Sequence, residues 1–286
     1  MTVRPRELSR SVASFAARTP TLPPATHTNS YALGGRDVLL VEPATPYEDE
    51  QRAWLDWARA LPSSGRVPLA IVVTHHHVDH VGGLDVLSRE LGLPLWAHAE
   101  TASRIDLPVA RRLADGDVIE LAGPVPGRWR VLHTPGHAPG HVCLYDDEER
   151  ALVVGDMVAS VGTILIAPGD GDMKVYLEQL ARLAALDART ALPAHGDPID
   201  APTDLFRHYV AHRLAREGKV LAAVAQRGAR GGSLDELLPD AYADVPVTTW
   251  PIALLSLQSH LEKLATEGRV RADARTGDRP RYIASP

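Results

Sequence analysis

Four of the chain's 13 histidines fall between positions 75 and 80. His75 and His77 alternate around His76, so two imidazoles can converge on one metal ion from an extended loop. Asp79 and His80 follow at a spacing that can serve a second metal ion. Imidazole and carboxylate ligands suit Zn²⁺, with Fe or Mn as alternatives. Because no cysteine ligand accompanies them, we expect an open metal site rather than a closed structural zinc site.

Three more candidate ligands lie further along the chain, and they are His137, Asp156 and His195. Each follows an apolar run that predicts a strand, in a loop that is polar or contains glycine. Loops at strand ends are where rigid scaffolds present functional groups. We expect His137 to complete the first pair of histidines and His195 to join the second pair, with Asp156 as a bridging carboxylate.

The expected chemistry is hydrolysis. Two metal ions about 3.5–4 Å apart that share a hydroxide provide a nucleophile at neutral pH and stabilise charge on the substrate. Asp79 is the candidate catalytic residue, because its carboxylate can orient the hydroxide and take its proton. His141 is expected to hydrogen-bond behind His137 without binding metal. His76 is expected to point away from the metals, and Cys143 to be a buried small side chain and not a nucleophile.

Strands and helices that alternate along the first hundred residues must position the histidine segment. The predicted order is a hairpin at 29–41, a helix at 47–61, a strand at 69–73, a helix from Gly82-Gly83 to about 91 and a strand at 95–98. The β-branched run at 69–73 ends directly at the histidines. This alternation predicts an α/β fold in which helices cover sheets.

From residue 117 the pattern changes to strand signals separated by turn residues. Strands are predicted at 118–121, 129–133, 142–145 and 151–154, before a helix at about 174–186. One interpretation of the segment Asp172–Lys174 places it on a loop over the site, in contact with substrate. The lead before residue 29, with Pro20, Pro23 and Pro24, is predicted to be irregular.

A change in composition near residue 204 divides the chain into a catalytic domain at 1–204 and a C-terminal domain at 205–286. In the C-terminal domain, helices are predicted at 205–226, from the capping box Ser233–Glu236 onward, and at 249–268. They are followed by a predicted hairpin whose two strands, 269–272 and 280–283, are joined through 276–278. Three helices followed by a hairpin are typical of a winged helix.

Ten residues, Thr74-His-His-His-Val-Asp-His-Val-Gly-Gly83, resemble the His-x-His-x-Asp-His signature of the metallo-β-lactamase superfamily. Thr134–His137, Gly155-Asp156 and Pro193–Gly196 resemble its remaining metal-ligand motifs. The resemblance covers about residues 27–200 and implies an αβ/βα sandwich with the site between two sheets. It implies first-metal ligands at His75, His77 and His137, second-metal ligands at Asp79, His80 and His195, and a bridge at Asp156.

Five histidines and two aspartates resemble the ligand set of glyoxalase II and of the tRNA-processing ribonucleases. With its winged-helix-like tail, the whole chain is similar to the β-lactamase-like protein 2 group, which is associated with cleavage of single-stranded RNA. Some relatives with this layout act as thioesterases.

These features lead to one main hypothesis and two alternatives. We expect a dinuclear zinc-dependent metallohydrolase that uses a metal-bridging hydroxide to cleave an ester, thioester or lactone type bond. The first alternative is an endoribonuclease that cleaves phosphodiesters of single-stranded RNA. The second is a winged-helix nucleic-acid-binding regulator without enzymatic activity. A single-iron oxygenase on the same fold is disfavoured, because the second-metal ligand set is complete.

Composition limits the class and the partners of the protein. A chain of 286 residues that is 45% hydrophobic can bury one large core with a small appendage, and one cysteine cannot form an internal disulfide. We found no signal peptide and no long apolar run, so we expect a cytoplasmic protein with no membrane partner.

Charge is unevenly spread along the chain. Residues 1–204 hold 18 Lys+Arg and 27 Asp+Glu, a net charge of -9, whereas residues 205–286 hold 12 and 9, a net charge of +3. The candidate RNA path consists of Arg207, Arg213, Arg216, Arg269, Arg271, Arg279 and Arg281. Three net charges make a weak nucleic-acid footprint. We therefore expect a small-molecule substrate, with RNA as the alternative, and a tail that covers the site or forms a homodimer contact.

Overall fold

Two β-sheets pack face to face, and helices cover their outer faces. The structure is a computed structural model that describes residues 4–124, 126–273 and 280–285. The strands are β1 (Arg6–Glu7), β2 (Val12–Arg18), β3 (His27–Leu33), β4 (Asp37–Val41), β5 (Val67–Val72), β6 (Leu95–His98), β7 (Val109–Leu113), β8 (Val118–Leu121), β9 (Gly127–His133), β10 (Val142–Asp146), β11 (Ala151–Gly155), β12 (Thr190–Pro193), β13 (Ile199–Asp200), β14 (Val270–Asp273) and β15 (Arg281–Ala284). The α-helices are α1 (Glu48–Ala60), α2 (Val78–Val81), α3 (Leu84–Leu91), α4 (Ala99–Ala102), α5 (Met173–Ala184), α6 (Thr203–Gln226), α7 (Leu234–Ala241) and α8 (Trp250–Thr266).

The first sheet contains seven strands in chain order, from β1 to β7. Strands β1 to β4 are antiparallel neighbours, whereas β4 to β7 run parallel. Parallel neighbours need crossover connections, and α1 and α3 provide two of them. Trp54 and Trp57 of α1 pack against this sheet, and Trp57 stacks on Phe15 of β2.

The second sheet has the order β13-β12-β11-β10-β9-β8. Only β11 and β12 are parallel, and α5 forms the crossover between them. Helix α5 and the first half of α6 bury the outer face of this sheet with Tyr176, Leu180 and Phe206. Between the sheets lies a separate apolar core that includes Tyr31 and Trp129. The predicted αβ/βα sandwich is therefore confirmed.

The N-terminal segment differs from its prediction. Residues predicted to be irregular form β2, which pairs along its whole length with β3. Six of its seven residues are buried, so the strand lacks the alternation of polar and apolar residues that identifies a half-buried strand. Its composition, with three alanines and one serine, also carries little strand preference.

Helix α6 is shared between the two parts of the chain. Phe206 and Tyr209 pack in the core outside the second sheet, whereas Val220 and Val224 pack with α7 and α8. The predicted capping box at Ser233 is present, and β14 pairs antiparallel with β15 to form the wing. The turn predicted at 276–278 lies outside the described residues. Because α6 enters both cores, the domain boundary at 204 stays a prediction.

Among the described residues, no helix is long and apolar enough to cross a membrane.

His260 of α8 is a destabilising feature of the C-terminal core. It is fully buried, and neither ring nitrogen has a hydrogen-bond partner among the described residues. Burial, aided by the cations Arg213 and Lys263, lowers the pKa of His260 to about 3 from an ordinary value of 6.5. Below pH 6.5 the unfolded chain therefore binds the proton more readily than the folded chain, so stability is lost as the pH falls toward 3.

We predict that His260→Leu raises the free energy of unfolding by about 1–3 kcal/mol, because two unpaired polar atoms are removed from a core. The variant should also lose less stability between pH 6.5 and pH 4, by up to about 1.4 kcal/mol per pH unit. Urea unfolding at several pH values measures both effects. The control His208→Gln changes an exposed histidine of α6 and should stay within about 0.5 kcal/mol of the parent. A His260→Leu protein that is less stable than the parent at pH 5 would contradict this account.

Candidate metal centre

The seven predicted ligands meet at one edge of the sandwich. His75 and His77 follow the end of β5, and the short helix α2 carries Asp79 and His80. His137 lies in the loop between β9 and β10, whereas Asp156 and His195 follow the ends of β11 and β12. Strands from both sheets thus contribute, and the structure brings together side chains that are 120 residues apart.

Three imidazoles form what we call the first ligand group, which consists of His75, His77 and His137. The Nε2 atom of His75 lies 3.0 Å from Nδ1 of His77. Nε2 of His137 lies 3.2 Å from Nε2 of His75 and 2.9 Å from Nδ1 of His77. Nitrogen ligands on a tetrahedral zinc ion lie roughly 3.3 Å apart, given Zn–N bonds of about 2.0–2.1 Å. The spacing of the first ligand group matches one such site.

The second ligand group consists of Asp79, His80 and His195. Nε2 of His195 lies 3.6 Å from a carboxylate oxygen of Asp79, and Nε2 of His80 lies 3.9 Å from the other oxygen. One candidate ligand atom from each of the three residues lies within 4.8 Å of the others. The group therefore has room for one metal ion bound by two imidazoles and a carboxylate.

Asp156 faces both ligand groups. Its Oδ2 atom lies 3.5 Å from Nε2 of His137, in the first ligand group. Its Oδ1 atom lies 3.5 Å from Nε2 of His80 and 3.3 Å from Nε2 of His195, in the second. A carboxylate with one oxygen toward each group is placed to bridge two metal ions.

Hydrogen bonds on the outer side of the rings show which nitrogen carries the proton. Nδ1 of His137 donates to the carbonyl oxygen of Leu165 at 2.9 Å, and Nδ1 of His195 donates to the carbonyl oxygen of His27 at 3.0 Å. A carbonyl oxygen can only accept, so the inner Nε2 of each neutral ring carries a lone pair.

Carboxylates orient two more rings in the same way. Nε2 of His77 donates to Asp170 at 2.7 Å, and Nδ1 of His80 donates to Glu42 at 2.6 Å. In the neutral form of each ring, the inner nitrogen is then an acceptor as well. Nε2 of His80 and Oδ1 of Asp156 are buried without any hydrogen-bond partner among the described residues. Lone pairs that face one another require a proton or a metal cation between them, so these residues fit bound metal ions.

The electrostatics differ between the two groups. Burial, together with neighbouring imidazoles, lowers the pKa of His75 well below its ordinary value, and burial lowers the pKa of His137 to about 4. Both rings are therefore neutral, as metal ligands must be. Burial also acts to lower the pKa of His80, but the negative charges of Glu42 and Asp156 outweigh it and hold that pKa well above its ordinary value. The second ligand group thus lies in a strongly negative potential that favours a cation.

His141 lies behind Asp156 rather than behind His137. Its Nε2 accepts a hydrogen bond of 3.1 Å from the backbone N–H of Asp156, and its Nδ1 lies 2.8 Å from the hydroxyl of Thr134. Both ring nitrogens are thus used away from the metal groups. The preceding residue must be Gly155, because its φ is +47° and a Cβ atom there would lie 2.5 Å from Nε2 of His141.

Two carboxylates that orient candidate ligands were not predicted. Glu42 is buried, and it accepts the backbone N–H of Thr74 at 2.8 Å with one oxygen while the other holds His80. Its position at the end of an apolar strand was the available signal. Asp170 holds His77 and lies 3.4 Å from Nε2 of His76. The carboxylate of Asp172 caps α5 by accepting the N–H of Val175, and contact of the segment Asp172–Lys174 with substrate stays a prediction.

Predictions were also made for two neighbouring side chains, and that for Cys143 is confirmed. His76 belongs to neither ligand group, and its Nε2 lies 3.4 Å from Asp170 while its ring centroid lies 4.9 Å from that of His77. Cys143 is fully buried, and burial raises the pKa of its thiol to about 12, so it is no nucleophile at neutral pH.

Three successive carbonyl groups connect the C-terminal region to the first ligand group. The carbonyl oxygen of Leu165 accepts from His137, whereas those of Ile164 and Ile166 point to the other side. Arg213 of α6 donates to Ile164, and the hydroxyl of Ser259 in α8 donates to Ile166 at 2.6 Å. The C-terminal helices therefore hold the loop that orients a candidate ligand.

A cavity of about 250 Å³ opens onto the ligand groups. His77, Asp79, His137, Asp156 and His195 form its floor. Two segments, 20–25 and 161–167, form its walls, and their side chains are mainly apolar. A substrate can therefore reach the candidate metal positions through a partly apolar entrance.

Comparisons with known proteins agree with this geometry. Residues 23–195 match the family described as the metallo-beta-lactamase superfamily, and residues 233–279 match the beta-lactamase associated winged helix domain. The "Beta-lactamase-like protein 2 homolog" of Caenorhabditis elegans is 31% identical over 85% of this chain and 80% of its own length. An "Atrochrysone carboxyl ACP thioesterase" of Pseudocercospora fijiensis (strain CIRAD86) is 29% identical over 87% of this chain and 73% of its own length.

Among solved structures, a metallo-beta-lactamase family protein from Thermus thermophilus superimposes with a TM-score of 0.77 at 26% identity. The match covers 98% of this chain and 100% of that chain. The likeness thus extends over both the sandwich and the C-terminal region.

We predict that Asp170→Asn weakens metal binding by the first ligand group roughly 10-fold or more, because the carboxylate that orients His77 and raises its basicity is lost. Competition against a chromophoric chelator measures the affinity. Asp172→Asn is the matched control, since it removes the same charge two residues away and asparagine still caps α5. Equal affinities for the two variants would show that Asp170 does not support the site.

Proposed function

The chain belongs to the metallo-β-lactamase superfamily and is a metal-dependent hydrolase, and we propose that it is a dinuclear zinc enzyme that hydrolyses thioesters or the related esters and lactones. The single observation that carries this proposal is Asp156, which turns one oxygen to each of two groups of inward-facing imidazoles. One bridging carboxylate between two complete groups favours two metal ions over one.

The residues that would hold the metals are those of the first ligand group, those of the second ligand group, and Asp156 between them. When bound, a pair of divalent ions activates water and stabilises negative charge on the substrate. Nitrogen and oxygen donors without a thiolate favour zinc, and iron and manganese suit the same donors. Elemental analysis of gently purified protein distinguishes these ions.

Asp79 has the position required of a general base. Its carboxylate lines the cavity floor, and its side chain retains 15% exposure whereas that of His80 has none. An oxygen at the cavity surface can accept the proton of a water molecule and pass it to the leaving group. In the proposed reaction water adds to the carbonyl carbon, the bond to sulfur breaks, and the products are a carboxylic acid and a thiol.

The arginines of the candidate RNA path favour a small-molecule substrate over RNA. Each one that the structure describes already makes an ion pair or a hydrogen bond within the protein. Arg216 pairs with Asp244 at 2.7 Å, and Arg269 pairs with Glu217 at 2.7 Å. The remaining pairs are Arg207 with Asp204, Arg271 with Asp273 and Arg281 with Glu236. Arg213 donates to the loop at Ile164, and Arg279 lies outside the described residues.

The helix that a winged-helix regulator would place in a groove of DNA is equally poor in free cations. Lys263, which is buried in α8, pairs with Glu217 at 2.6 Å and with Glu267 at 2.8 Å. Phosphate contacts need such charges to be available. The RNA and DNA alternatives therefore have no specific observation in their favour. The cytoplasmic location and a homodimer contact of the tail stay predictions.

We predict that the metal-replete protein hydrolyses acyl thioesters faster than phosphodiesters or single-stranded RNA, in a panel measured by thiol release and by product analysis. Asp79→Asn should lower kcat about 10²–10⁴-fold, the usual contribution of a general base. Asp85→Asn is the matched control, because it removes an exposed carboxylate of α3. Cleavage of RNA by a protein that leaves every thioester, ester and lactone intact would overturn the proposal.

A further inference from the structure

A second, larger cavity adjoins the metal-site cavity. Its volume is about 490 Å³, and its lining is predominantly apolar. Two segments, Leu22–Pro24 and Gly162–Leu165, line both cavities, so the two cavities are adjacent. The far wall comes from the C-terminal region, and it consists largely of Tyr242, Val245, Pro246, Thr249, Ile252 and Ala253.

The two arginines in this wall already have hydrogen-bond partners. Arg213 donates to the hydroxyl of Thr163 at 3.2 Å and to the carbonyl oxygen of Ile164. Arg216 pairs with Asp244 at 2.7 and 3.1 Å. Burial, followed by the charges of the two arginines, lowers the pKa of His212, so this histidine is neutral at pH 7. A hydrocarbon group could therefore enter without displacing these hydrogen bonds.

The mouth of the space also exposes apolar side chains to water. Leu22 is 49% exposed and Ile252 is 37% exposed, and the two line the cavity from opposite parts of the chain. Large apolar side chains at a rim gain free energy when an apolar ligand covers them. The volume lies within the usual range for sites that bind small organic ligands.

We propose that this cavity is the acyl subsite, which holds the hydrocarbon chain of a thioester substrate while its carbonyl group lies over the metal-site cavity. This inference rests on the proposed function and names its substrate class as thioesters of apolar, medium-length acyl groups. The shared lining, which places this cavity beside the floor that contains Asp79 and Asp156, carries the argument. The C-terminal region would then contribute to substrate specificity by forming half of this subsite.

The dependence of rate on chain length tests the subsite. The substrates are N-acetylcysteamine thioesters from acetyl to dodecanoyl, with the metal-replete full chain. Burial of one methylene group corresponds to about a fourfold gain, so kcat/KM should rise about fourfold per methylene until the cavity is filled. Hydrolysis at the same kcat/KM for all chain lengths would overturn the inference and leave the proposed function standing. No hydrolysis at any length would contradict the proposed function itself.

A matched pair of variants on α8 locates the effect. Ile252→Asp places a charge in the wall of the subsite, and Leu255→Asp places one at a residue of 40% exposure that does not line it. For the decanoyl substrate, kcat/KM should fall at least tenfold in Ile252→Asp and stay within twofold of the parent in Leu255→Asp. Leu255→Asp should hydrolyse the acetyl substrate like the parent.

Binding provides a readout that does not depend on turnover. The decyl thioether of N-acetylcysteamine cannot be hydrolysed, and calorimetry measures its affinity for each protein. The parent and Leu255→Asp should bind it alike, and Ile252→Asp should bind it at least tenfold more weakly. Equal affinities for Ile252→Asp and Leu255→Asp would place the chain elsewhere and overturn the inference.

Discussion

The orientation of four imidazole rings is the constraint on which the site depends. His77, His80, His137 and His195 each donate one N–H outward, to a carboxylate or a backbone carbonyl. In each neutral ring the inner nitrogen is therefore left as an acceptor, and the inner nitrogens converge on two places with Asp156 between them. Such an arrangement is repulsive without positive charge, so the folded protein favours the binding of cations at these two places.

The sandwich supplies the groups that orient these rings from distant parts of the chain. The carbonyl group of His27 is at the start of β3, Glu42 directly follows β4, and Leu165 lies in a loop that α6 and α8 hold from behind. The C-terminal helices thus contribute to the geometry of the first ligand group and to the wall of the larger cavity. This double role gives a physical reason for the C-terminal region to accompany a hydrolase domain.

The convergence of the candidate ligands was predictable from the sequence, whereas the groups that orient them were not. The spacing of His75, His77, Asp79 and His80 is local and dense, so one loop identifies it. Glu42 and Asp170 act through contacts across 38 and 93 residues, and backbone carbonyl groups have no signature in a sequence at all. Strand β2 was missed because it is buried on both faces and rich in alanine, a composition without periodicity. The sharing of α6 between two cores likewise depends on packing that a change in composition does not show.

The central claim is that the chain holds two metal ions with Asp156 between them. Anomalous diffraction from crystals of the gently purified protein, recorded on both sides of the zinc absorption edge, tests it most directly. The account predicts two peaks about 3.5–4 Å apart, one within the first ligand group and one within the second. A single peak, or a peak at the outer cluster of His76, His77 and Asp170, would contradict it.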